Sequence, residues 1–238
     1  MMCEKWYFDQ RVSRPAPGNT HYFPIVLILL LCAGFPLFAQ SPDTILSQTS
    51  FTPQEKEAIS AVFRRAQDDA LPTVLLENRL REGIAKHVSP AAVVQVLTRD
   101  AGLLKEAREI LKVSPTGRQV LNDTASWARA ANLLGGGQSA KEVGFLVEQV
   151  KGNPQAFRPA GALYAALRDW GLSVSEAQLL VSAVTASPLP PEEYEQIPAV
   201  LISGQRQRIQ VDEMIRRMEV ALPRAKSVAA LRRQVLNP

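Results

Sequence analysis

The chain has 238 residues, with 27 Lys and Arg against 23 Asp and Glu. A net charge of +4 is too mild for the basic footprint of a nucleic-acid binder. With only two cysteines and two histidines, disulfide frameworks, thiol chemistry and structural zinc have almost no residues to draw on.

The first feature in chain order is Pro24 to Gln40, PIVLILLLCAGFPLFAQ. Every residue from Ile25 to Leu31 is large and apolar. A spanning helix needs roughly 20 such residues. This run is shorter, and Pro36 lacks the N–H that a continuing helix requires. A short apolar core, a helix breaker and a small residue at the end fit a secretory signal peptide. Residues 1–39 are therefore expected to be a signal peptide cleaved after Ala39, giving an exported, periplasmic or secreted protein. The alternative is an uncleaved membrane anchor through residues 24–39. Lipidation at Cys32 fits less well, because bulky Leu31 precedes it. Cleavage would remove Cys3 and Cys32 and leave 24 basic against 21 acidic residues, with His87 as the one histidine. No cofactor and no metal site are expected of such a chain.

Residues 40–50 are polar and read as a linker before an all-α domain over 51–238. Thr52-Pro53-Gln54-Glu55 is a capping box, in which the threonine caps the first turn and the glutamate reaches back. Ile59, Val62, Phe63 and Ala66 follow at helical spacing. Pro72 opens a helix with the stripe Leu76, Leu80 and Ile84. Gly83 inside it costs about 1 kcal/mol relative to alanine, which close approach of another helix would offset. Ser89-Pro90 begins a long helix ending at Val113-Ser114-Pro115. Residues 116–134 suggest one or two shorter helices. Gly135-Gly136-Gly137 is a break and a possible hinge between 51–134 and 138–238.

Ser139 to Glu142 and Ser173 to Glu176 are two further capping boxes, each leading an i, i+3, i+4, i+7 apolar face. Between them lies a helix bearing Ala160, Leu163, Tyr164, Leu167 and Trp170, with Pro159 as one candidate start. Pro198 should kink or interrupt the helix after Ser187 to Pro191. Met214, Ile215, Met218 and Leu222 mark the next helix, and Ser227 caps a last short one. No segment alternates with strand period. The fold class is all-α, either an irregular helical bundle or a short solenoid-like array of helix hairpins.

Leu80 to Pro90 (LREGIAKHVSP), after the Ala70-Leu71-Pro72 turn, resembles a short segment found in a group of exported bacterial all-helical proteins of no known activity. That segment runs L-x-E-G-x-A-K-x-V-x-P, with glycine often standing where this chain has His87. The resemblance covers about one hairpin. It implies bacterial export and a Glu82–Lys86 helix.

Candidate chemistry is sparse. His87 as a general base would need an activated partner, and a helix C-terminal position is the plainer reading. Gly135 to Gly137 lacks the strand before it and the Lys-Ser/Thr after it that a phosphate loop requires. Glu82 could serve a lysozyme-like cell-wall hydrolase, but aromatics for a sugar groove are few; as a surface residue it would simply pair with Lys86 at i, i+4. The two readings differ in placement. An enzyme would set Glu82 in an accessible cleft among polar groups, and a scaffold would leave it on an open face paired only with Lys86.

Residues 204–238 carry eight basic against three acidic side chains. Arg206, Arg208, Arg216, Arg217, Arg232 and Arg233 are the candidate partner-binding residues, facing an envelope protein or an anionic polymer or lipid surface. The expected function is a secreted or periplasmic helical scaffold or binding module, non-enzymatic, with the Glu82 hydrolase as the alternative.

Overall fold

The computed structural model describes residues 41–237. The expected signal peptide, its cleavage point and the alternative anchor fall outside them. Twelve α-helices and no strand occur among the described residues. They are α1 (Pro42–Ser47), α2 (Pro53–Asp68), α3 (Thr73–Ala85), α4 (Pro90–Val113), α5 (Gly117–Leu121), α6 (Thr124–Gly135), α7 (Ala140–Gln149), α8 (Pro154–Asp169), α9 (Val174–Ala186), α10 (Ile197–Arg206), α11 (Val211–Ala221) and α12 (Val228–Leu236).

The stretch expected as a linker opens with a helix. Ser41 caps α1 by accepting from the Thr44 N–H, Pro42 fits its first turn, and Ile45 and Leu46 are buried. Six residues suffice because that apolar pair packs onto α2. All three capping boxes form: Thr52 with Glu55, Ser139 with Glu142, and Ser173 with Glu176. α8 starts at Asn153-Pro154 rather than at Pro159. Pro159 lies inside it, where its missing N–H leaves the Gln155 carbonyl without the usual donor. Pro198 falls in the first turn of α10, after a 3-10 segment at Pro191–Gln196. There a proline is tolerated, because the N–H it lacks would have had no helical partner.

Six connections share one geometry. Ala70, His87, Gly137, Lys151, Gly171 and Arg208 each take a positive φ between 50° and 98°. The N–H of the following residue then bonds to the carbonyl five residues back along the chain. Leu71 bonds to Ala66 O, Val88 to Gly83 O, Gln138 to Leu133 O, Gly152 to Val147 O, Leu172 to Leu167 O and Ile209 to Gly204 O, all at 2.8–3.1 Å. This is the Schellman stop, which satisfies the last helical carbonyls. One residue later the next helix begins at its N-cap: Pro72, Ser89, Ser139, Asn153, Ser173 or Gln210. Gly135 to Gly137, expected as a break, is thus the stop of α6.

These tight connectors fold successive helices into hairpins. α2, α4, α6 and α8 form one row, each packed on the next, and α7, α9 and α11 form a second. One apolar core runs from Ile45 in α1 to Leu236 in α12, so helices on both sides of the glycine triplet share it. The described residues are thus an all-α packing of twelve helices, with α10, α11 and α12 meeting at the C-terminal end.

Candidate functional site

Three helices each contribute a stripe to a cleft of about 210 Å³. Leu75, Asn78, Arg79 and Glu82 of α3 follow i, i+3, i+4, i+7; Asp100, Leu103 and Leu104 of α4 and Ala128, Ala131 and Asn132 of α6 follow i, i+3, i+4. Gly83 lets α3 lie close to α4, since a Cβ there would sit 3.1 Å from Val93 Cγ2. The Trp127 indole N–H donates to the Leu104 carbonyl at 2.9 Å and fastens α6 to α4.

Arg79 crosses the cleft wall. Its Nε donates to Asp100 Oδ2 at 2.9 Å and its Nη1 to Glu82 Oε2 at 2.8 Å. Lys86 Nζ donates to the other Glu82 oxygen at 2.5 Å. Arg99 reaches Asp100 Oδ1 at 3.2 Å. The Lys86 hydrogen bond, helped by Arg79 and opposed by partial burial, holds the Glu82 carboxyl below the usual range. Glu82 therefore lies in a cleft among polar groups, where a hydrolase would place it, and also pairs with Lys86. A general acid needs a raised pKa, and this carboxylate is instead held ionised. His87 is exposed, has φ 54° and does not line the cleft.

A second carboxylate is enclosed. Glu142 closes the α7 capping box and accepts the Tyr164 hydroxyl at 2.6 Å, with Arg168 Nε 3.7 Å away. Burial raises the Glu142 pKa, but Tyr164, Ser139 and Arg168 outweigh it and leave the carboxyl below its ordinary value. Tyr164 is fully buried, so no ligand reaches the pair and its role is to join α7 to α8.

The C-terminal arginines divide into two groups. Arg216 binds both oxygens of Glu213 at 2.8 Å, and Arg217 Nε binds Oε1 at 2.7 Å while its Nη1 donates to the Val235 carbonyl at 3.1 Å. The hydrogen bonds from Arg216 and Arg217 pull the Glu213 carboxyl down to about 2. Arg217 thus ties α11 to the end of α12. Arg206, Arg208, Arg232 and Arg233 are exposed and have no carboxylate partner among the described residues. Gly204 of α10 lies against Met214 of α11 and Leu236 of α12, so the C-terminal ends of α10 and α12 converge. Arg206 and Arg233 stand in the last turns of α10 and α12 and Arg208 just beyond α10, where cations also complement the two helix dipoles. Exposed Ile202 and Val220 stand one turn from Arg206 and Arg216.

Protein-family models, curated proteins and solved structures were compared with this chain, and none matches it. Among the described residues no group of three or more His, Cys, Asp or Glu could hold a metal ion, and no helix is long and apolar enough to cross a membrane.

The pairing of Arg216 and Arg217 with Glu213 was readable at i+3 and i+4. The Arg79–Asp100 contact joins residues 21 apart and carries no local signal.

Proposed function

We propose that this chain is an exported, non-enzymatic helical scaffold or binding module that docks on an anionic lipid surface through the converging ends of α10 and α12. The observation that carries this reading is the group of exposed arginines, Arg206, Arg208, Arg232 and Arg233, left without carboxylate partners among the described residues. Arg224 and Lys226, also exposed, add charge between α11 and α12. A polybasic surface gains about 1 kcal/mol per Lys or Arg near an anionic leaflet. Ile202, exposed one turn from Arg206, gives an apolar component that a lipid interface can use and a soluble polyanion cannot.

Two measurements test it. Intact mass of the native protein should start at Gln40 in the envelope fraction; a full-length mass in the cytosol would contradict export. Vesicles of phosphatidylglycerol should sediment the protein, and phosphatidylcholine vesicles should not. Replacing the four free arginines with glutamine should weaken that binding on the order of 1,000-fold. Equal binding to both lipids, or an unchanged affinity in the variant, would sink the docking reading.

One observation favours a second reading, a cell-wall hydrolase: Glu82 lines a cleft rather than an open face. Its pairing on both oxygens argues the other way. Release of sugar fragments from peptidoglycan that disappears in Glu82→Gln would establish the hydrolase; no release by the wild type leaves the binding module.

A further inference from the structure

We infer that the α3–α4–α6 cleft is a peptide-binding site for a short uncharged segment carrying one aliphatic side chain. This inference does not rest on the C-terminal arginines.

Size sets the first limit. The cleft holds about 210 Å³, an order of magnitude more than the roughly 10–15 Å³ of such space that one water requires. It is smaller than the roughly 300–1,000 Å³ of sites for drug-sized ligands, so a side chain fits and a nucleotide or flavin does not.

Charge sets the second. Arg79 is already held by Asp100 and Glu82, and each carboxylate has a further cation in Arg99 or Lys86. A free anion would have to displace a carboxylate from Arg79. A cation would meet carboxylates already neutralised. The complementary ligand is neutral.

The lining sets the third. Leu75, Leu103 and Leu104 with Ala128 and Ala131 form an apolar wall, and Asn78 and Asn132 stand at its edge. A carboxamide offers both donor and acceptor, which is what a peptide backbone needs and what a purely apolar ligand cannot use. Asn78 Oδ1 accepts from Arg81 at 3.3 Å, so its NH₂ stays available. Asn132 is exposed and open to both N–H and C=O. A sugar would want an aromatic platform, and no aromatic side chain lines the cleft. An aliphatic group on the leucine wall with its backbone amide on the two asparagines satisfies every face.

The test uses the chain from Gln40 onward and a capped peptide, acetyl-Ala-Leu-Ala-amide, followed by NMR. The side-chain NH₂ signals of Asn78 and Asn132 and the methyls of Leu103 and Leu104 should move and saturate at millimolar peptide. Acetyl-Ala-Ala-Ala-amide should bind at least ~10-fold more weakly, for loss of the buried aliphatic group. Ala128→Leu should fill the cleft and abolish the shifts while the rest of the spectrum is unchanged. The double variant Asn78→Ala, Asn132→Ala, both exposed, should also weaken binding ~10-fold. Any of four results would overturn the inference: no shift at tens of millimolar peptide, equal response to the alanine peptide, response only to an N-acetylglucosamine oligomer, or concentration-dependent shifts at these residues without peptide, which would make a second copy the occupant.

Discussion

Tyr164 and Glu142 share a hydrogen bond of 2.6 Å between two side chains closed off from solvent. The tyrosine comes from the middle of α8 and the glutamate from the capping box of α7, so one contact fixes both a helix start and a helix packing. Tyr164→Phe would leave a buried carboxylate oxygen without its donor, a loss of about 1–3 kcal/mol. Urea denaturation should report that drop without a change of fold. The pair also fixes a pH dependence. Burial and the neighbouring carboxylate push the Tyr164 pKa up. The unfolded phenol ionises near about 10 and the folded one resists, so unfolding releases a proton above that pH. Stability is full below about pH 10 and falls as pH rises beyond it. The phenylalanine variant should lose this alkaline decline.

Glu77 is 5% exposed, and its Oε2 has no hydrogen-bond partner. A buried carboxylate oxygen without a partner is costly, and apolar replacement of similar volume removes that cost. Glu77→Met should stabilise the protein by about 1 kcal/mol or more, read as a higher urea midpoint at constant slope. A lower midpoint would mean that the carboxylate has a stabilising partner in solution.

His87 holds a left-handed conformation, φ 54°, that costs a side-chain-bearing residue roughly 1 kcal/mol. Its N–H and that of Val88 close the α3 stop on Ile84 and Gly83 carbonyls. Glycine makes the same bonds without the Cβ penalty, so His87→Gly should raise stability by up to about 1 kcal/mol.

Gly152 also has positive φ, and a Cβ there would collide with the Thr116 carbonyl. The same junction is held by Ser114 and Thr116 hydroxyls donating to Glu148 Oε1 at 2.5 and 3.1 Å. Gly152→Ala should cost about 2 kcal/mol or more, since backbone must move and the conformation is strained. Thermal melting checks it, with Gly144→Ala, where the added Cβ meets open space, as the mild comparison.

Anionic-vesicle binding should be nearly flat between pH 5 and 8. The patch is built on arginine and lysine side chains, with no histidine in residues 204–238, and Glu213 titrates only near about 2 because Arg216 and Arg217 hold it. Its folded pKa lies below the unfolded value, so its stabilising contribution is present above about pH 4 and is lost as pH falls through about 2. A steep change of vesicle affinity around pH 6 would point to a histidine or an amino terminus instead.

The helices were legible where the signal is local. Thr52–Glu55, Ser139–Glu142 and Ser173–Glu176 place a cap and its reciprocal acid three residues apart, and each forms as that spacing dictates. α1 was missed although Ser41-Pro42 is itself a start signal, because six residues give too few turns for a period to emerge. The Glu82–Lys86 pair was readable at i+4. The cleft around it was not, since Asp100 and Asn132 join Glu82 only through the way α3 and α6 flank α4. Likewise Glu142 announced a helix start, while its Tyr164 partner lies 22 residues away.

The six Schellman connectors keep the largest helix contacts between elements no more than two apart along the chain. Closing such short links costs little chain entropy, and a helix can dock on its hairpin mate before distant segments have met. Contacts this close in sequence form faster than long-range pairings do. A polypeptide that assembles hairpin by hairpin in this way exposes few apolar faces for long, whether it leaves a ribosome or emerges on the far side of a membrane.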